Sequence, residues 1–293
     1  MGRLLFYIFL KPLSYLPLPV LYWWSSLIYV LVYKLGRYRV AVVRQNLSNS
    51  FPEQPGAQLR QFEQKYYRYL SHLMVEIVKL SSISKAVTMR RCSADVPDSM
   101  REFYAAERSI VICVGHYGNW EHFVQVLDAY LPHQVVALYK PLQNTGIDKV
   151  FLTFRSRFGV RLIPIEETRS LLKLLKKEPI AIIFLGDQSP TFSKNVEWCT
   201  FLHQPTAVAK GAEFFARKFN LPVYFLHPQF PERGQYHLHF ELISDQSAST
   251  AEGEITTRHT RILEERIQSE PAYWIWSHRR WKRKPGPGDC CNP

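Results

Sequence analysis

The sequence holds no Gly-x-Ser-x-Gly elbow, no Walker A loop and no Gly-x-Gly-x-x-Gly fingerprint, which removes the commonest hydrolase and nucleotide-binding readings. Cysteine is sparse: Cys92, Cys113 and Cys199 stand alone, and only Cys290 and Cys291 are adjacent. A disulfide framework and a zinc-ligand spacing are both excluded, so reduced thiols in a cytosol-facing protein are expected. Internal repeats and long low-complexity stretches are also missing. Acidic residues are in short supply, 25 against 37 Lys and Arg, and the resulting charge of +12 calls for an anionic partner. No recognised nucleic-acid module accompanies that charge, so an anionic membrane surface or a phosphate-bearing substrate is the better match.

What is present begins with an uncharged stretch from Pro12 to Tyr33, just long enough to span a bilayer. Pro12, Pro17 and Pro19 break its first part and leave Val20 to Tyr33 as the continuous helical piece. Arg3 and Lys11 precede it, Lys34, Arg37 and Arg39 follow it, and Tyr22, Trp23 and Trp24 lie within it. That flanking suits an interfacial anchor as well as a spanning one. No small-residue cleavage site follows, so a cleaved signal peptide is not expected. Residues 1–40 read as the anchor, 41–284 as one catalytic domain and 285–293 as a disordered tail.

Ala57 to Leu80 has helical spacing of Phe62, Tyr66, Tyr69, Leu70, Leu73 and Ile77, a stripe that belongs in a core. Met100 to Ala106 reads as a short helix, and Ile110 to Val114 as a buried strand. Strands then alternate with helices: Gln134–Tyr139, Asp148–Phe158, Arg161–Pro164, Thr168–Lys177, Ile180–Leu185, Thr206–Phe219 and Pro222–His227. This rhythm predicts an α/β fold with a mostly parallel sheet flanked by helices. Tyr236 to Ile243 is expected as an antiparallel edge strand, and Glu254 to Ser269 as a helix.

The central stretch reads Gly115-His116-Tyr-Gly118-Asn119-Trp-Glu121. The glycines punctuate a turn and Asn119 is a good N-cap, which puts His116 at a strand's carboxyl end and Glu121 in the next helix's first turn. A carboxylate beside an imidazole fixes its tautomer and raises its basicity, so His116 with Glu121 reads as a general base aimed at a hydroxyl. His72 and Glu76 share a helix face without a third metal ligand, and His237 and His239 share a strand face without a third His. Neither pair is a metal site on pattern alone, and no metal is expected. Arg279, Arg280, Lys282, Arg283 and Lys284 form a basic run beside Trp276 and Trp281.

Five further blocks, in order, carry a resemblance: Tyr139-Lys140-Pro141-Leu-Gln-Asn144, Arg155-Ser-Arg157-Phe-Gly159, Gly186-Asp187-Gln188-Ser-Pro190, Phe201-Leu-His-Gln-Pro-Thr206 and Trp276-Ser-His278-Arg279-Arg280-Trp281-Lys282. With the His116…Glu121 pair they resemble the late acyltransferases of lipid A biosynthesis, the lauroyl/myristoyl transferase family of the lysophospholipid acyltransferase-like superfamily. Lys140 stands where many members carry Arg, exchanging a bidentate fork for a point charge. His203 stands where a Gly is usual.

The resemblance implies transfer of an acyl chain from a thioester, acyl carrier protein foremost, to a hydroxyl of an anionic lipid A precursor at the cell inner membrane. It implies no cofactor. His116 and Glu121 are the implied catalytic pair. Lys140, Asn144, Arg155, Arg157, Asp187, Gln188 and Thr206 are implied for substrate, with Asp187 organising the cations. His278, Arg279 and Arg280 are implied for support or for the membrane face. Another lysolipid, aminolipid or glycolipid acceptor is the alternative, followed by a catalytically silent binder of anionic lipids.

Overall fold

The computed structural model describes residues 2–190 and 195–286. Cys290, Cys291 and most of the tail expected to be disordered therefore lie outside the described residues. The chain opens with helical turns α1 (Gly2–Leu5) and α2 (Lys11–Ser14), then α3 (Leu18–Tyr29), which continues as a π-helical stretch over Val30–Leu35. Pro17 and Pro19 flank the first residue of α3, where a missing N–H is harmless. Leu18–Leu35 is long and apolar enough to cross a membrane by length and composition. One face of α3 buries Leu21, Tyr22 and Ser25. The other leaves Trp23, Leu27, Leu31 and Leu35 of this segment exposed.

Next come α4 (Val40–Ser50), α5 (Gly56–Leu80), α6 (Lys85–Arg90), β1 (Cys92–Asp95), α7 (Asp98–Ala105) and β2 (Ile110–Val114). They lead to α8 (Trp120–Tyr130), β3 (Gln134–Tyr139), α9 (Thr145–Arg155), β4 (Arg161–Pro164), α10 (Thr168–Leu175) and β5 (Ile180–Leu185). The chain ends with β6 (Val196–Phe201), β7 (Gln204–Ala209), α11 (Gly211–Phe219), β8 (Val223–Gln229), β9 (Tyr236–Ser244) and α12 (Glu254–Ser269).

Seven strands form one sheet in the order β1-β9-β8-β2-β5-β3-β4, in which only β8 and β9 pair antiparallel. The α/β expectation with a mostly parallel sheet is met. β2 lies centrally and is buried along its whole length, as a run of branched apolar residues covered on both faces must be. Val111 and Cys113 face one cluster with Phe215, Leu263 and Trp274. Ile110, Ile112 and Val114 face another with Phe123, Leu127 and Val135. The stripe on α5 is core, with Tyr66, Tyr67, Leu73 and Leu80 all buried.

Two sequence expectations change. Tyr236–Ser244 is antiparallel to β8 but is not an edge, because the short strand β1 pairs along its outer side. The stretch expected to be helical from Thr206 begins instead as strand β7, which closes a hairpin with β6 before α11 starts at Gly211. The hairpin turn places Leu202 at φ 50° and His203 at φ 61°. Two left-handed residues make a type I′ turn, the connection whose twist suits paired strands and which favours Gly in its second position. His203→Gly should therefore stabilise the protein by about 1 kcal/mol. A rise in the thermal unfolding midpoint tests this, and a fall would mean that the imidazole makes a contact outweighing its backbone strain.

Candidate active site

The carboxyl ends of β2 and β5 are neighbours, with Val114 paired to Leu185. Each strand runs straight into a glycine and then a functional side chain, Gly115-His116 and Gly186-Asp187. Asp187 accepts three hydrogen bonds. His116 donates its backbone N–H to Oδ2 at 2.8 Å, the His116 Nδ1 lies 2.6 Å from Oδ1, and Trp274 Nε1 donates to Oδ2 at 2.8 Å. Burial alone would raise the Asp187 pKa, but the His116 charge and the bonds from His116 and Trp274 outweigh it and hold the carboxyl at about 2. An ionised carboxylate at Nδ1 assigns the ring proton to that nitrogen and leaves the Nε2 lone pair for chemistry. Gln188 Nε2 lies 3.1 Å from His116 Nε2 on an exposed side chain that an incoming hydroxyl can displace. Trp120 meets the imidazole edge-on at 4.9 Å and limits its rotation.

The turn after His116 has the predicted local form. Gly118 sits at φ 72°, where a Cβ would come within 2.9 Å of the Phe123 ring. Asn119 caps α8 by accepting from the His122 N–H at 3.1 Å. The role expected of Glu121 is where the structure differs. The carboxylate partner of His116 is Asp187, while the buried Glu121 carboxylate is held by Arg155 through two bonds, one of them at 2.7 Å from Nε. At the start of α8, Glu121 faces the helix dipole favourably and points its acid at the end of α9.

Their side chains are 7% and 26% exposed. Removing one partner strands a buried charge, so Arg155→Ala should lower stability by about 3 kcal/mol. The double variant Glu121→Gln/Arg155→Met should recover most of the loss in chemical unfolding. A single variant as stable as wild type would show that solvent already screens the pair.

The other expected site residues divide between the pocket rim and the scaffold. Arg157 donates to the carbonyls of Leu80 and Ile83 at 2.8 and 3.0 Å and so closes the end of α5. Asn144 caps α9 through Gly146 and Ile147. Thr206 Oγ1 accepts from Trp281 Nε1 at 2.8 Å. Arg280 is buried and donates to the Ala207 carbonyl at 2.7 Å, and with Asp187 it lines a small cavity beneath the site. His278 Nε2 accepts from the Ser189 N–H at 3.2 Å. Burial pulls that ring down to about 4 against the opposing pull of Asp187, so it stays a neutral acceptor. Lys140, just past β3, and Arg279 are exposed.

Sequence reasoning weighs Glu76 only as a metal ligand beside His72 and misses its role in holding the fold. Its buried carboxylate accepts from Tyr22 at 2.6 Å, Asn119 at 2.8 Å and Tyr236, and lies 3.5 Å from Arg91. It ties the N-terminal helix to the cap of α8. The only trace in the sequence is a Glu on the apolar face of a long helix.

The arrangement is an imidazole oriented by a buried carboxylate, with its Nε2 at the carboxyl edge of a parallel sheet. It can remove a proton from a bound hydroxyl. A family model described as bacterial lipid A biosynthesis acyltransferase matches residues 1–283. The chain is 22% identical over 256 residues to a lipid A biosynthesis acyltransferase of Haemophilus influenzae, covering 86% of this chain and 80% of that protein. It is likewise 22% identical over 272 residues to the lipid A biosynthesis palmitoleoyltransferase of Escherichia coli K12, covering 92% and 87%.

Proposed function

The chain belongs to the bacterial lipid A biosynthesis acyltransferase family and is thus an O-acyltransferase acting in lipid A synthesis, and from that premise we propose how it works. A fatty acyl chain passes from an acyl thioester, acyl carrier protein in the first instance, to a hydroxyl of an anionic lipid A precursor. His116 Nε2 takes the hydroxyl proton as the oxygen attacks the thioester carbonyl. The tetrahedral intermediate then collapses, and the departing thiolate takes its proton from the imidazolium. Asp187 remains ionised throughout and stabilises the imidazolium. The backbone of the glycine-rich turn is the nearest source of donors for the oxyanion. No covalent enzyme intermediate is needed.

Glu121 takes part as the anchor of Arg155 at the site's edge rather than as the imidazole's partner. We assign the acceptor's phosphates to the cationic side chains of this region, with the exposed Lys140 and Arg279 foremost. The exposed apolar side chains of Leu18–Leu35, with Lys34 near the end of that segment and Arg37 and Arg39 beyond it, support attachment to the inner membrane with the site facing the cytoplasm.

The observation that carries this reading is the His116–Asp187 pair at adjacent strand ends. Mass spectrometry of lipid A from cells lacking the gene, complemented with wild type or His116→Ala, tests it. Loss of one acyl chain that only wild type restores is the expected result. An unchanged lipid A with another lipid class short of its chain would move the acceptor. No lipid change at all would favour a silent lipid binder.

A further inference from the structure

Glu241 follows His239 by two residues, but the carboxylate that meets both His237 and His239 is Asp95, which the fold supplies. The four-residue strand β1 pairs in parallel with β9, setting Ser93 opposite His237 and Asp95 opposite His239. Asp95 Oδ2 lies 2.8 Å from His237 Nε2 and 3.3 Å from His239 Nδ1. One ligand atom from each of the three residues falls within 4.8 Å of the others. We propose that Asp95, His237 and His239 bind a single late first-row divalent metal ion, with Zn2+ as its probe, at a site separate from the acyl-transfer centre.

The chemistry favours a cation here. A tetrahedral Zn2+ with bonds of about 2.0–2.1 Å to nitrogen and oxygen sets its ligand atoms roughly 3.3 Å apart, close to the two spacings from Asp95. One carboxylate oxygen faces two imidazole nitrogens, an arrangement that a shared ion satisfies at once. Ser93 Oγ lies 2.7 Å from His237 Nδ1, where it can accept the ring N–H and turn the Nε2 lone pair toward Asp95. Such an outer hydrogen bond is the usual support of a metal-binding histidine. His239 is held differently, its ring stacked on the buried His227 of β8 at 5.5 Å and 24°. The two histidine side chains are 25% and 28% exposed, so an ion can enter and water can fill the remaining position.

Imidazole with carboxylate suits Zn2+ and its neighbours better than Mg2+ or Ca2+. The ion would fasten the short outer strand β1 to the sheet, three strands across from β2. That would hold β1 over the outer edge of β9, whose backbone would otherwise be open to other chains.

The test uses full-length protein in detergent, stripped by a chelator and dialysed, then titrated with Zn2+ by calorimetry with metal content read by mass spectrometry. One Zn2+ per chain is expected. His237→Ala, His239→Ala and the near-isosteric Asp95→Asn should each weaken binding by at least about tenfold, and Ser93→Ala by about tenfold. Replacing Cys290 and Cys291 by Ser should leave the site unchanged. Circular dichroism of each metal-free variant establishes that it is folded, and Asp95→Asn keeps the test valid if a histidine variant is not. Wild type taking up no Zn2+ overturns the proposal. So does uptake that survives Asp95→Asn and both histidine substitutions, or that disappears only with the two cysteines. None of these readouts depends on acyl transfer.

Discussion

His116→Ala lowers acyl transfer by about 10²–10⁴-fold, the range that a positioned general base supplies, and leaves the protein folded. The loss follows from position. Nε2 is the imidazole nitrogen left without a proton by the Asp187 contact, and the ring side chain is only 13% exposed, so bulk water cannot easily replace it. The fold survives because the Asp187 carboxylate keeps two donors, the backbone N–H of residue 116 and the indole of Trp274. Purified full-length protein in detergent, assayed for kcat/KM with an acyl thioester and a lipid A precursor, gives the rate. Thermal unfolding of the same sample gives the stability. Turnover within threefold of wild type would show that the hydroxyl loses its proton elsewhere. Loss of turnover together with collapse of the unfolding transition would instead make His116 a structural residue.

The sequence led to His116 because everything that places it is local. A run of branched apolar residues forms β2, Gly118 supplies the left-handed turn, and Asn119 caps α8, all within a dozen residues. The partner was not legible in the same way. Asp187 is 71 residues away in sequence and reaches the imidazole only because β5 pairs with β2, a neighbour relation that no periodicity encodes. Glu121 is the partner that nearness in sequence suggests, yet its position in α8 aims it at Arg155 on the next helix. Arg157, Asn144 and Thr206 show the same limit, since a motif marks them without saying that carbonyls, a helix end and an indole occupy their polar atoms. The omission of β1 has one cause with the misreading of β9 as an edge. A four-residue strand with polar Ser93 and Asp95 is too short and too hydrophilic to stand out. The hairpin β6–β7 escaped because its turn uses Leu202 and His203 where Gly or Asn would have announced it.

Asp187→Asn separates orientation from proton removal, and it should cost nearly as much rate as losing His116, up to about 10⁴-fold in kcat. The amide is almost the same shape as the carboxylate and can still accept from Trp274 or from the His116 backbone. It offers an N–H to the imidazole Nδ1, however, which favours the tautomer protonated at Nε2 and removes the lone pair the substrate needs. Asp187→Ala is the harsher change. It leaves the Trp274 indole and the His116 N–H unpaired in a buried site, at about 1–3 kcal/mol each. The pH dependence gives an independent check. The folded Asp187 pKa is depressed to about 2, below the unfolded value of 3.8, so the unfolded chain binds the extra proton between those limits. The stability this carboxylate contributes, ~2 kcal/mol, is therefore present above about pH 4 and lost as pH falls through about 2. The asparagine variant has no such group, so its stability gap from wild type should narrow over that window in chemical unfolding. An unchanged gap would mean that His116 and Trp274 do not hold the carboxylate ionised. Asparagine with wild-type turnover would mean that the imidazole finds its working tautomer without Asp187.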